Sequence, residues 1–323
     1  MLAVTAARID PADPLAGLEI GQRPEPVAPP GWTTVAVKAA GLNHHDLWTL
    51  RGVGIKAERL PIILGTDAAG VTADGAEVVV HAVVGNPDAG GGDETLDPSA
   101  SILSEVYDGT LAEYVVVPAR NLVPKPPGLS WEEAACVPTA WLTAYRMLAT
   151  RSGLKAGQTV LVQGAGGGVA TALITLGRAL GLRVWVTSRD ESRGHRAVDA
   201  GAAAWFPTGA RLPERVDAVM ETVGEATWAH SLRALKPGGR IVIAGATSGY
   251  QPPADLARVF YLQLSVVGST MGTRTELQQL LALLTTNGIR PVVDRVLPMS
   301  QAREGLAAVA AGEVFGKVVL TND

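Results

Sequence analysis

The chain has 323 residues, of which 47% are hydrophobic, and a formal net charge of −4 with both signs interspersed. That length accommodates two domains with separate cores, and the charge leaves no electrostatic footprint for nucleic acid or an anionic membrane. One cysteine, Cys136, excludes an internal disulfide and any Cys-rich zinc site; a lone Cys among Ala and Val reads as a small buried residue in a reducing, cytoplasmic setting.

At the N-terminus, Arg8, Asp10 and Asp13 stand where a signal peptide needs an apolar stretch, so no targeting segment is expected. Apolar runs are broken by Gly, Pro or charge before the roughly 18 residues of a membrane span. The first part of the chain reads as short strands bounded by turn residues: TTVAVKAAGLN, GAEVVVHAVVG and LAEYVVVPARNL. Between them, PIILGTDAAG ends an apolar run on two polar side chains, Thr66 and Asp67. Residues 85–101 form a polar, Gly-rich stretch whose acids miss the EF-hand spacing, and they are read as a solvated surface loop. Ser130 and Glu133 have the spacing of a helix capping box, and Pro138 divides the following helical stretch into two pieces.

From QTVLVQGAGGG onward strands and helices alternate through VATALITLGRALG, RVWVTSR, DESRGHRAVDAGA, VDAVMETVG and GRIVIAGATSG. This alternation predicts a doubly wound parallel sheet. After residue 250 the tail carries a strand LSVVGSTMG, a helix RTELQQLLALLTTNG, a strand VVDRVLPM, a helix SQAREGLAAVAAG and a final GKVVLTND.

An apolar strand running into Gly164, Gly166, Gly167 and Gly168, with a helix starting at Val169, predicts a site for a dinucleotide pyrophosphate, the alternative being a glycine-rich packing turn without a ligand. The free N–H groups at a helix start attract anions, and missing side chains let backbone and phosphate approach. The strict G-x-G-x-x-G register is not met; Gly164–Gly167–Ala170 fits a G-x-x-G-x-x-A register. An NAD-binding strand end usually offers an acid about 20 residues after the glycines. Here Thr187, Ser188 and Arg189 occupy it, with Arg193 a helical turn on, which suits a 2′-phosphate and favours NADP(H). Asp190 and Glu191, just beyond, read as helix-start acids.

The stretches AAGLNHHDLWTLRG, PIILGTDAAG, GTLAEYVVVPARNLVPKPPGLSWEEAA, GLKAGQTVLVQGAGGGVATA, VTSRDESR, SLRALKPGGRIVIAGATSG, VVGSTMGTRTEL and FGKVVL together resemble the medium-chain dehydrogenase/reductase superfamily, in particular its zinc-free quinone oxidoreductase branch. The resemblance implies an α/β protein with a GroES-like, β-rich catalytic domain over 1–127, completed by 265–323. A Rossmann NADP-binding domain would occupy 128–264. It implies homodimers in which LSVVGST pairs sheets across a two-fold. It also places Asn43 and Thr143 near the nicotinamide, and Gly245 and Lys317, within the matched stretches, join the expected cofactor contacts.

Zinc-dependent members carry a Cys in the segment reading GLNHHD here, a His-Glu pair at Thr66-Asp67, and a third ligand before the helix. The corresponding Asn43, Thr66 and, by spacing, Thr139 are poor zinc ligands, and 85–101 has no Cys for a second metal, so no metal is expected. His44 and His45 are adjacent and diverge, which disfavours chelation of one ion. Trp48 and Trp141 are large aromatics that either pack or cover a flat ligand.

Without a Lewis acid, alcohol oxidation requires a side-chain base, while reduction of a quinone or α,β-unsaturated carbonyl requires only donors for the developing oxyanion. Asn43, Thr66 and Thr143 are donors of this type, with solvent, Asp46 or His45 as proton source. The expected function is therefore NADPH-dependent, zinc-free hydride transfer to a quinone or an α,β-unsaturated carbonyl. The alternatives are an alcohol or aldehyde dehydrogenase using Asp46, Asp67 or a histidine as base, and a non-catalytic NADPH-binding protein.

Overall fold

The computed structural model describes residues 1–322, which divide into two compact units: 1–142 with 273–322, and 143–272. Among the described residues no helix is long and apolar enough to cross a membrane.

The first unit is β-rich. Its main sheet is built around the long strand Trp32–Gly41, which pairs antiparallel with Ala69–Thr72, Tyr114–Pro118 and Lys317–Thr321. Glu77–Val80, Leu122–Pro124 and Val293–Pro298 complete seven strands. The β-branched runs behind this sheet are buried, with Val35, Val79, Val117 and Val319 at or near zero exposure. A smaller sheet sets Leu2–Ala6 between Leu18–Gln22 and Ile62–Ile63.

The second unit holds six parallel strands. In the unit's own sequence order the sheet runs 3-2-1-4-5-6, with Thr159–Val162 and Val216–Glu221 adjacent at its centre. This is the doubly wound Rossmann order, whose ligand crevice lies at the carboxyl ends of those two central strands, where the strand order reverses. Leu161, Val219, Ile241 and Leu232 form its core with Trp185 and Trp228.

Both unit boundaries differ from the sequence expectation of 127/128 and 264/265. The capped helix Trp131–Ala135 packs on Trp32–Gly41 and Ala69–Thr72 of the first unit, carrying the division to residue 142. At the other end Ser265–Gly268 is the sixth strand of the parallel sheet, so the second unit extends to residue 272. The Ser130–Glu133 capping box is present, and beyond Cys136 the helix continues through wide turns at Val137–Trp141 and Arg146–Arg151.

The segment 85–101 is a surface loop, with only Glu94, Asp97 and Ser101 buried, but its acids are bound to its own backbone. Asp97 accepts from Asn86 N and Ser99 N, and Asp93 accepts from Thr95 N. Buried Glu94 accepts from Arg274 N at 2.6 Å. Side-chain carboxylates satisfy the backbone donors that irregular structure leaves open, so the segment folds in on itself.

Candidate active site

In the first unit, three strands converge to build a buried polar cluster. Asn43 follows the central strand Trp32–Gly41, Asp67 precedes its neighbour Ala69–Thr72, and Lys317 opens the strand on the other side. Because both neighbours run antiparallel to the central strand, these three positions fall at the same end of the sheet. Gly41 makes room for them: a Cβ there would lie 2.8 Å from Asp67 Oδ2. Gly65, at φ +102°, turns the chain so that Thr66 and Asp67 point into the cluster, and a Cβ at this position would strike Thr110.

Lys317 is 2% exposed, and its ammonium donates to Leu42 O at 2.6 Å, Asn43 Oδ1 at 2.5 Å and Asp67 Oδ2 at 2.8 Å. Asn43 Nδ2 in turn lies 2.9 Å from Asp67 Oδ2, 3.2 Å from Thr66 Oγ1 and 3.3 Å from Gly41 O. The Thr66 hydroxyl is 2.9 Å from that of Thr139, in the turn Val137–Trp141. Asp46 sits behind this group, accepting from Asn43 N at 2.8 Å and Gly65 N at 3.0 Å, which ties the helix His44–Leu50 to the Thr66 turn. Burial pushes the Asp46 carboxyl up to about 6 despite those bonds.

Several expectations change at this point. Lys317, expected at the cofactor, belongs to the first unit and spends all three ammonium protons inside it. Thr66 is fully buried, so the hydroxyl in the cluster with partial exposure is Thr139. His45 is separate from the cluster: its Nε2 pairs with Glu105 Oε1 at 3.1 Å. Trp141 is wholly buried and belongs to the core. Cys136 is buried as expected, its Sγ donates to Glu132 O, and burial pushes the thiol up to about 12.

The donor set does not fit zinc. Asn43, Thr66 and Thr139 offer an amide and two hydroxyls, and the Lys317 ammonium already occupies the cation position among them. Among the described residues no group of three or more His, Cys, Asp or Glu could hold a metal ion.

The second unit carries the glycine loop at the switch point. Gly164 has φ +91°, a left-handed conformation that favours glycine, and Gly167 precedes the 12-residue helix Gly168–Ala179. A Cβ at Gly167 would meet nothing within 4 Å, and one at Gly164 would meet only Val223 at 4.0 Å. The space above the helix start is open rather than filled by protein, and the residues fit a pyrophosphate.

The loop rests on a polar ladder that the sequence pattern did not reveal. Thr187 Oγ1 accepts from Gly164 N and donates to Gln163 Oε1, and Gln163 Nε2 donates to Ser231 Oγ and His230 Nδ1. Ser231 donates to Glu221, which also accepts from Val223 N, Gly224 N and Thr227. His230 Nε2 lies 2.9 Å from Ala210 O, so the proton is on Nε2, and burial holds this imidazole below its ordinary value.

At the next strand end the Ser188 hydroxyl is bound to the backbone of Asp190. Asp190 caps the helix Glu191–Asp199 through Arg193 N, a bond that lowers its carboxyl pKa. The acid is thus tied to a helix start, while Arg189 is exposed and Arg193 half-buried. Gly245 lies in the loop after Leu235–Ile243, and Thr143 is the buried first residue of the unit.

A Rossmann unit with an open glycine cradle, beside a GroES-like β-rich unit in one chain, defines a nicotinamide-type dehydrogenase or reductase. Residues 29–127 match the alcohol dehydrogenase GroES-like domain, and residues 194–320 match the zinc-binding dehydrogenase family. The chain is 30% identical to acryloyl-coenzyme A reductase of Metallosphaera sedula, over 95% of this chain and 97% of that protein. It is 34% identical to the spectinabilin polyketide synthase system protein NorB of Streptomyces orinoci, but spans only 14% of that protein's length. Among solved structures it superposes on an NAD-dependent alcohol dehydrogenase with a TM-score of 0.92, at 36% identity and 100% coverage of both chains. A 2-octenoyl-CoA carboxylase reductase in complex with NADP and 2-octenoyl-CoA gives a TM-score of 0.91 at 25% identity, over 99% of this chain and 87% of that one. The chain belongs to the medium-chain dehydrogenase/reductase superfamily.

Proposed function

We propose that this protein is an NADPH-dependent reductase of a conjugated acyl compound, an α,β-unsaturated thioester or enone, working without zinc. The observation that carries the reading is the replacement of a metal donor set by the Lys317–Asn43–Thr66–Thr139 cluster. Such a cluster supplies hydrogen-bond donors for a developing oxyanion but has no group with which to ionise an alcohol. Asp46 and Asp67 are both wholly buried, Asp46 accepting backbone N–H groups on both oxygens and Asp67 Oδ2 pairing with Lys317, so neither acid is exposed to an alcohol as that base.

When bound, the nicotinamide supplies a hydride for the electron-poor β-carbon. Gly164, Gly166, Gly167 and Gly168 would hold the pyrophosphate, with the helix opening at Gly168, one residue before the Val169 expected from sequence, and Ser188, Arg189 and Arg193 would hold the ribose phosphate. Asp190 withdrawn into its cap favours the 2′-phosphate, as does the NADP of the 2-octenoyl-CoA carboxylase reductase structure. The acyl-CoA names of that structure and of the Metallosphaera relative support a thioester substrate, whereas the names cited above give no support to a quinone.

The homodimer reading is supported by the sheet edge. Ser265–Gly268 is an outermost strand, and the adjoining helix Leu256–Tyr261 buries no residue, with Phe260 71% and Tyr261 80% exposed. Light scattering at micromolar concentration should return twice the chain mass.

The function is tested by following NADPH and NADH oxidation with crotonyl-CoA, an enone, a quinone and an aldehyde, alongside metal analysis of the same sample. NADPH oxidation with the enoyl thioester by zinc-free protein is the expected result. Stoichiometric zinc with alcohol oxidation would overturn the reading.

A further inference from the structure

Proton counting gives the buried cluster a direction. A lysine ammonium has three donors and no acceptor, so Asn43 must present Oδ1, not Nδ2, to Lys317 at 2.5 Å. That fixes the amide, and its Nδ2 then faces Thr66 Oγ1 at 3.2 Å. Whichever of Asp67 Oδ2, Thr66 Oγ1 and Gly41 O the two Nδ2 protons bind, Nδ2 cannot accept, so the Thr66 proton must go elsewhere. The other oxygen bonded to it is Thr139 Oγ1 at 2.9 Å. Thr66 therefore donates to Thr139, and the Thr139 proton is left without an acceptor among the described residues. The path leads from buried residues to a half-buried one, the only member of the relay with appreciable exposure.

We propose that Thr139 is the catalytic donor to the substrate's carbonyl oxygen, with Lys317 and Asn43 as positioning residues that set the direction of the relay. The inference rests on the enone or enoyl-thioester reading above. As hydride reaches the β-carbon, the C=C electron pair moves toward the carbonyl and negative charge builds on its oxygen as an enolate. Thr139 holds that oxygen by a hydrogen bond without giving up its proton. The α-carbon then takes a proton from water, and the carbonyl re-forms. A donor already oriented, with its lone pair engaged by Thr66, needs no reorganisation when the charge appears. The buried ammonium polarises each bond of the relay in the same sense.

The test uses the full chain and the variants T139V, T139S and K317M/D67N. The double variant removes the ammonium without stranding a buried carboxylate. Two readouts are taken. With NADPH and crotonyl-CoA, T139V should lose about 100-fold in kcat with KM within a few-fold, T139S should stay near wild type, and K317M/D67N should fall between them. Without reduced cofactor, 4-(dimethylamino)cinnamaldehyde serves as a conjugated carbonyl probe whose absorption moves to the red when its oxygen is hydrogen-bonded. Its maximum bound to T139V should lie to the blue of that bound to wild type and T139S. A T139V kcat within threefold of wild type, or a coincident probe maximum, overturns the assignment. If wild type reduces no enoyl thioester or enone, the functional reading fails, while the probe shift still decides the role of Thr139. Melting temperatures identify any variant that fails to fold, with T139A as the replacement for T139V.

Discussion

Lys317 Nζ lies 2.8 Å from Asp67 Oδ2, with both side chains almost completely removed from water. Residues 250 positions apart in the sequence thus share one ion pair, closed by the pairing of Lys317–Thr321 with Trp32–Gly41. Removing one partner leaves the other charged and unpaired, which typically costs about 3–5 kcal/mol, whereas removing both costs less. K317M should therefore lower the urea midpoint markedly, and K317M/D67N should recover a substantial part of the loss. Equal loss in the single and double variants would show that the pair is not the source.

Asp46 makes stability depend on pH in an unusual direction. Its carboxyl pKa is about 6 in the folded protein against an ordinary 3.8, so between these values the folded chain holds a proton that the unfolded chain releases. This group's contribution is most favourable below pH 4 and is lost as pH rises through 6, a range of about 3 kcal/mol. Other carboxylates titrate alike in wild type and D46N. The difference in melting temperature between wild type and D46N should therefore move in favour of wild type as pH falls from 7 to 5. A constant difference would refute the shift.

The two units were unequally legible in the sequence. The second was read from local signals: apolar strands, a glycine turn and helix caps, all within a few residues of each other. Even so, its ladder from Gly164 through Gln163 to Glu221 joins three strands, and no local pattern announces which polar residues will meet. In the first unit Asn43 and Thr66 were found by the motif they resemble. Lys317 was assigned to the cofactor because its stretch matched, but strand pairing places it beside Asn43. Polar composition places 85–101 at the surface, but it does not announce that Asp93 and Asp97 bind the backbone of their own turns.

Cys136 provides a simple check on packing in the first unit. It has no exposed surface, and burial pushes its thiol up to about 12, so little reactive thiolate exists near neutrality. Ellman's reagent should give less than a tenth of one equivalent in native buffer and one full equivalent in 6 M guanidinium. Rapid stoichiometric reaction of the native protein would mean that the turn carrying Cys136 and Thr139 opens readily.

Arg189 and Arg193 decide between the two nicotinamide cofactors if the strand end works as its charges suggest. Asp190, the acid that could bond a ribose 2′-OH, is committed to capping Glu191–Asp199. A 2′-phosphate carries close to two negative charges, and each guanidinium facing it adds a charge-assisted hydrogen bond worth about 1.5–3 kcal/mol. NADH lacks that phosphate and should be nearly indifferent to both residues. In R189A and R193A the Kd for NADPH, read by nicotinamide fluorescence, should rise roughly 10-fold or more each while that for NADH changes less than threefold. Parallel weakening of both cofactors would instead assign the arginines to holding the helix Glu191–Asp199 in place. Tighter NADH than NADPH in wild type would reverse the cofactor preference altogether.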